Sequence, residues 1–148
     1  MTRLELIMRV RSLTRDLSNS IFREIDIVNY INESIDRIKQ LIPELRDMNY
    51  LLGRDEVPIL LPGRYHHLLS IYSASRCFGQ DERYYQSTSF MNEFETKFDE
   101  LRMSIESGGV IIVDASGNEV IVLETTSYVK DIYFTTINAD LDDGVGGV

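Results

Sequence analysis

The spacing of apolar residues between Ile59 and Ile105 constrains the fold more than any other feature of this sequence. An apolar, strand-like lead-in at residues 59–61 ends at Pro62-Gly63, and two amphipathic helices joined at Gly79 follow. The stripe of the first helix consists of Tyr65, Leu68, Leu69, Tyr72 and Phe78. The stripe of the second helix, with steps of three and four residues from Met91 onward, consists of Tyr84, Thr88, Met91, Phe94, Phe98, Leu101 and Ile105. This period predicts helices that each bury one face, and the pair carries no recognisable catalytic motif.

Two more helices are predicted earlier in the chain, at about residues 2–17 and 23–41. The predicted buried stripe of the first is Leu6, Val10, Leu13 and Leu17, widened by Leu4, Ile7 and Met8. That of the second is Ile27, Ile31, Ile35, Ile38 and Ile42. Residues 44–62 contain two prolines and Gly53, which predicts an irregular segment with room for a short strand or turn.

The period changes after Gly108-Gly109, which ends the helical part. Residues 110–113 and 119–124 are rich in β-branched side chains and flank a turn-forming segment at 114–118, so a β-hairpin is predicted. A hairpin alone is marginally stable and needs a surface from its own helices or from a neighbouring subunit. The predicted fold is mainly α: a four-helix antiparallel bundle over residues 1–107, a β-hairpin over 108–124 and an extended acidic arm over 125–148.

The chain has a net charge of −9, and the acidity is concentrated in its C-terminal part. Residues 1–107 contain 14 Lys+Arg and 17 Asp+Glu, whereas residues 108–148 contain one Lys and seven acidic residues. Binding to DNA phosphates requires clustered positive charge, which this balance disfavours. A DNA-binding domain would depend on the arginines of the first helix, which are better interpreted as a solvated face: Arg3, Arg9, Arg11 and Arg15.

Residues that could carry chemistry are few and do not form a recognised motif. The adjacent His66 and His67 would point about 100° apart on a helix and would not chelate one metal together. Asp114, Ser116 and Asn118 alternate as in a calcium loop, but a hairpin turn explains them better. The single cysteine, Cys77, excludes an internal disulfide and is expected to be a partly buried helix residue.

No apolar run approaches the roughly 18–20 residues that span a bilayer, so no membrane association is predicted. The sequence also contains no phosphate-binding glycine loop and no nucleophile motif. We therefore expect no enzymatic activity, no cofactor and no metal, and an assembly role is favoured.

Two segments of the chain share their pattern with a known family. The acidic amphipathic run Phe22–Ile35 contains Ile31-Asn32-Glu33, and the run Leu61–Leu69 ends an apolar stretch in Leu-Pro before a Tyr-His helix. An Ala-Ser-Arg element, a Gly-Gln-Asp-Glu element and a long Tyr/Phe/Leu helix follow. In this order the features resemble tailed-phage head–tail connector proteins, also called adaptor or head-completion proteins. The resemblance covers about residues 3–107 and does not extend to residues 108–148.

The resemblance implies a structural virion protein of the phage neck, present in the host cytoplasm during assembly. Such proteins form a ring, usually of twelve copies, that docks beneath the portal protein and extends the DNA channel. DNA would pass through the lumen without specific binding, and the ring would offer an attachment surface to the stopper or tail protein. The alternative is a helical regulatory or scaffolding module that binds a cellular protein partner.

Partner specificity is expected in residues 44–62 and in the hairpin and arm that follow Gly108. For the arm, the resemblance implies this role, because terminal arms reach the portal in connector proteins. The residues predicted to contact the portal or an adjacent subunit are Val110, Ile112, Val120, Val122, Tyr128, Tyr133 and Phe134.

Overall fold

The computed structural model describes residues 1–122, which are mainly helical, as predicted. The α-helices within this range are α1 (Arg3–Thr14), α2 (Glu24–Leu41), α3 (His67–Gln80) and α4 (Tyr84–Glu106). Short 3₁₀ turns at Pro43–Leu45 and Gly63–Tyr65 follow α2 and precede α3.

Helix α1 begins at a capping box and ends earlier than predicted. The Thr2 hydroxyl accepts the Glu5 N–H at 3.1 Å, and the Glu5 carboxylate accepts the Thr2 N–H at 2.7 Å. At the other end, Arg15 adopts the left-handed conformation with a φ of 61°, which terminates the helix. The predicted burial of Leu17 is therefore wrong, because this side chain lies beyond the helix and is 77% exposed.

The buried carboxylate of Asp16 organises the turn after α1. It accepts the backbone N–H groups of Ser20, Ile21 and Phe22 at 3.0–3.1 Å, and Arg11 Nη1 donates to it at 2.7 Å. Burial acts to raise the pKa of Asp16, but the three N–H donors and Arg11 outweigh it and hold the pKa below its usual value. Arg11 is itself buried, so its interpretation as a solvated side chain is wrong.

Helix α3 lies at the centre of the helical part and packs against each of the other three helices. Ten of its 14 residues are buried, which is the pattern of a helix enclosed on nearly all sides. Among these residues are Ser70 and Ser73, whose hydroxyls donate to the backbone carbonyls of His67 and Leu69, each at 2.7 Å. Small serine side chains that are satisfied within their own helix allow the neighbouring helices to approach closely.

The isoleucine stripe of α2 covers one side of this core, as predicted. Its five members are each at most 1% exposed. On the next face of α2, the Tyr30 hydroxyl donates to Gln80 Oε1 at 2.9 Å, and Glu33 pairs with Arg76 at 3.0 Å. Because the later residue of α2 contacts the earlier residue of α3, these two helices run antiparallel.

Helices α3 and α4 also run antiparallel. The ring of Phe78 stacks on Phe90 with centroids 5.6 Å apart, and Tyr72 meets Phe94 edge to face at 5.2 Å. The residue numbers thus rise along one helix as they fall along the other.

The predicted stripe of α4 is confirmed at its centre and fails at its start. Phe94, Phe98 and Leu101 are buried, whereas Tyr84 and Thr88 are exposed. The first turns of α4 lack the cover from other helices that the stripe predicted.

The segment between α2 and α3 is irregular, as predicted, but it also contributes to the core. Leu45, Met48 and Leu51 are fully buried. The strand-like interpretation of residues 59–61 is wrong, because no strand forms there in the described part of the chain. Pro58 and Pro62 flank this stretch and cannot donate the hydrogen bonds of a ladder.

A tight turn follows the end of α4. Gly108, with a φ of 81°, ends the helical part as predicted. The Asp114 carboxylate accepts the N–H groups of Ser116 and Asn118 at 2.9 Å, and Val113 and Glu119 form an isolated antiparallel bridge. The second strand predicted for the hairpin extends past residue 122, so it lies partly outside the described residues, as does the whole predicted arm at 125–148.

Candidate functional site

The C-terminal residues predicted to meet a partner divide into two groups. Val110 and Ile112 are buried in the chain's own core, and Val120 packs partly buried against it. This corrects the assignment of Val110 and Ile112, which are unavailable to a partner in the folded chain. The alternating backbone turns Ile111 and Val113 outward instead, and both are exposed.

The remaining residues of that predicted surface lie at or beyond the edge of the described part. Val122 is partly buried. Tyr128, Tyr133 and Phe134 lie outside the described residues, and their contact with a partner stays a prediction.

A cluster of exposed apolar side chains lies on the loop between α2 and α3. We call it the loop patch, and its members are Tyr50, Leu52, Val57 and Ile59. They line one concave surface of about 560 Å³, and Leu52 is 76% exposed. Single exposed apolar residues are ordinary, whereas four that share one concave surface form a candidate contact site for a partner.

Side-chain amides hold the backbone of this loop in place. Asn32 Oδ1 accepts the Leu51 N–H at 2.9 Å, which joins the loop to α2. Asn49 spans the loop, because its Oδ1 accepts the Ile59 N–H at 2.8 Å and its Nδ2 donates to the Val57 carbonyl at 3.1 Å. The loop patch is therefore presented by a backbone that is already ordered in the single chain.

The start of α1 fixes the loop from the other side. The Arg3 N–H donates to the Glu56 carbonyl at 2.9 Å, and the Leu4 N–H donates to the Arg54 carbonyl at 3.1 Å. Arg3 Nη1 also donates to the Leu52 carbonyl at 2.8 Å. Free N–H groups at a helix start normally need partners from outside the helix, and here the loop provides them.

A second candidate surface is a groove between α1, α3 and α4, which we call the α1/α4 groove. Its volume is about 500 Å³, and its apolar lining includes Leu13, Ile71 and Phe90. Arg9 and Lys97 line its cationic side, and neither forms a salt bridge within residues 1–122. The surface thus combines apolar contact area with two positive charges.

His67 also lines the α1/α4 groove, together with one carboxylate, that of Glu93. Burial lowers the pKa of His67, and the positive charges of Lys97 and Arg9 lower it further, against the opposing effect of Glu93. His67 therefore accepts a proton less readily than a free imidazole, and Arg9 and Lys97 both bring positive charge to the groove.

A third groove, of about 590 Å³, lies between α2, α3 and the start of α4. Two of its polar side chains connect α2 to α3, since the Tyr30 hydroxyl donates to Gln80 and Arg76 pairs with Glu33 of α2. The guanidinium of Arg76 also lies 5.3 Å from the centroid of the Tyr30 ring. These contacts join the helices, and we assign them a structural role.

The buried titratable groups of the core are held in structural positions. Burial raises the pKa of the Cys77 thiol to about 12, so it is protonated at neutral pH. His66 is buried, its Nε2 lies 2.8 Å from the Leu61 carbonyl oxygen, and burial lowers its pKa. Within residues 1–122, no group of three or more His, Cys, Asp or Glu side chains is arranged to hold a metal ion.

Comparisons of this chain with protein-family models, with curated proteins and with solved structures find no match. Among the residues that the structure describes, none of the helices has the length and apolarity needed to cross a membrane.

Proposed function

We propose that this chain is a structural protein of the tailed-phage neck, whose copies form an adaptor ring beneath the portal protein. The ring extends the DNA channel and offers an attachment surface to the stopper or tail protein. The observation that carries the proposal is the loop patch, an apolar surface held on a rigid helical core by Asn32 and Asn49. Such a surface fits a protein that works by binding other proteins.

Ring formation requires that each copy use two different surfaces, one for each neighbour. Within residues 1–122, the loop patch and the α1/α4 groove are apolar surfaces with no residue in common. This supports a subunit that contacts neighbours on both sides.

The arm at residues 125–148 is proposed to engage the portal or an adjacent subunit, together with the outward side chains of the preceding hairpin segment. Its aromatic residues, Tyr128, Tyr133 and Phe134, are the contacts we propose. Because Val110 and Ile112 belong to the core, a truncation that tests this role has to begin after Val122. A chain of residues 1–122 should keep its helical circular dichroism and lose attachment to portal-bearing capsids, and undiminished attachment would refute the role of the arm.

The net charge of −9 supports a channel through which DNA slides without specific binding, because like charges lower the affinity for phosphates. An assembled ring whose lumen is lined mainly by Arg and Lys would contradict this part of the proposal.

Cryo-electron microscopy of the protein mixed with portal-bearing capsids tests the function directly. We expect a ring of many copies at the portal vertex and none on capsids that lack a portal. A vertex without added density would refute the neck assignment. A chain that stays monomeric or dimeric and binds a soluble cellular protein would favour the regulatory or scaffolding alternative.

A further inference from the structure

We infer that the loop patch of one copy docks into the α1/α4 groove of the next copy. This inference rests on the ring proposed above and names its subunit interface. The occupant of the groove is a second copy of this chain, and the contact is head to tail.

The two surfaces match in apolar character and in charge. The loop patch presents the exposed side chains of Leu52 and Ile59, and Leu13 and Phe90 are among the apolar side chains that line the α1/α4 groove. Association would remove both sets from water, which is the main favourable contribution to most protein interfaces.

The charges that flank these surfaces have opposite signs. Asp55 and Glu56 line the same concave surface as the loop patch, and residues 43–62 contain four acidic residues and two arginines. Lys39, beside Tyr50, offsets part of this negative charge. In the α1/α4 groove, Arg9 and Lys97 stand against the single carboxylate of Glu93. Docking therefore brings unpaired cations towards an acidic loop, whereas contact of two loop patches would bring like charges together.

No residue lines both surfaces, although α1 contacts both, since its start holds the loop and its later turns line the groove. This separation allows a head-to-tail contact. The loop patch lies against α2, where the Tyr50 hydroxyl donates to Asp36 and the Lys39 ammonium lies 4.3 Å from the centroid of the Tyr50 ring. The α1/α4 groove is formed by the other three helices. A copy that fills the groove of its neighbour keeps its own groove free, so the same contact can repeat from copy to copy. The repeat closes into a ring when the rotation between successive copies divides a full turn evenly.

The fixed backbone of the loop lowers the cost of this association. Asn32, Asn49 and Arg3 already hold the loop in the single chain, so docking does not have to order it.

Analytical ultracentrifugation of the full chain over a concentration series tests the interface. The wild-type chain should form oligomers larger than dimers at concentrations up to 100 µM, which is on the order of the dissociation constant of a weak protein interface. Leu52→Glu and, separately, Lys97→Glu should each raise the dissociation constant more than about tenfold. Leu52→Glu places a charge in an apolar contact, and Lys97→Glu places a negative charge opposite the acidic loop. The matched controls are Tyr85→Glu, at an 85% exposed position outside both surfaces, and Arg102→Glu on the same helix as Lys97, and both should assemble as the wild type does.

Mixing the two defective variants identifies a head-to-tail contact. The Leu52→Glu chain retains an intact groove and the Lys97→Glu chain retains an intact loop patch, so an equimolar mixture should form dimers and nothing larger. Introduced thiols add a geometric readout, because the buried Cys77 does not compete for oxidation. A mixture of Leu52→Cys and Leu13→Cys chains should give a mixed disulfide dimer, and neither chain alone should give one as fast.

Several outcomes would overturn the interface. These are a wild-type chain that stays monomeric at 100 µM, a Leu52→Glu chain that assembles normally, or disulfide formation by the Leu52→Cys chain alone at the rate of the mixture. If the chain without residues 123–148 fails to assemble while the Leu52→Glu chain assembles normally, the arm and not the loop patch occupies the groove. Attachment of the protein to portal-bearing capsids is measured separately from assembly in solution. Rings of the Leu52→Glu chain on such capsids would refute this interface and would still support the neck function.

Discussion

Replacement of Asp16 by asparagine tests whether the buried turn after α1 stabilises the fold. The substitution keeps the size of the side chain and removes its charge, which leaves the buried Arg11 guanidinium without its counterion. Breaking a buried ion pair on one side costs about 3–5 kcal/mol of unfolding free energy. The matched control is Asp99→Asn, whose partner Arg102 lies 3.0 Å away on the exposed face of α4, and there the cost should be under about 1 kcal/mol.

Urea unfolding followed by circular dichroism at pH 7 measures both values. Arg11→Met should cost less than Asp16→Asn, about 1–3 kcal/mol, because Asp16 keeps its three backbone N–H donors. The pKa of Asp16 is lowered in the folded chain, so its contribution is present above the unfolded pKa of about 3.9 and is lost as the pH falls through the folded pKa. The difference between wild type and Asp16→Asn should thus persist at pH 5, and a cost within 1 kcal/mol of the Asp99→Asn value at pH 7 would refute the reasoning.

Three further predictions concern the core and its titratable groups. Phe94→Ala should lower the unfolding free energy, measured in urea, by about 3–5 kcal/mol, because it removes a buried ring. The control Met103→Ala, at an exposed site on the same helix, should lower it by under about 0.5 kcal/mol. Similar losses for the two variants would contradict the packing described. The pKa values of His66 and His67 are lowered in the folded chain, so the unfolded chain binds protons more readily as the pH falls. The melting temperature should therefore decrease as the pH drops through about 6.5, the pKa of a free histidine. His67→Gln should reduce this dependence of the melting temperature on pH. Cys77 should react with a maleimide only in urea, and fast labelling of the native chain would show that its burial is incomplete.

Helical period predicted most of the buried residues and predicted the helix ends poorly. Its prediction for Met8 of α1 is wrong, because this side chain is 61% exposed. The stripe of α2 is buried to its last member, Ile42, because the helix continues to Leu41. The stripe of α1 fails at Leu17, because Arg15 takes the left-handed conformation two residues earlier. The buried pair of Arg11 and Asp16 holds the turn that follows, and an apolar period does not encode such a polar contact.

The loop patch could not be predicted from the sequence, because adjacent leucines behave in opposite ways. Leu51 is fully buried and Leu52 is 76% exposed. The choice is made by Asn32, which bonds the Leu51 backbone from a position 19 residues earlier. A similar ambiguity affects residues 110–113, where alternation predicts two faces and only packing selects Val110 and Ile112 for the core.

The central position of α3 determines how the molecule can open. Its amide protons should exchange with solvent only when the whole helical part unfolds, because the other three helices of residues 1–122 pack on it and would have to leave first. The first turns of α4, around the exposed Tyr84 and Tyr85, have no such cover and should exchange through local fraying. The chain thus joins a slowly exchanging centre to a helix end that can adjust its conformation without loss of the fold.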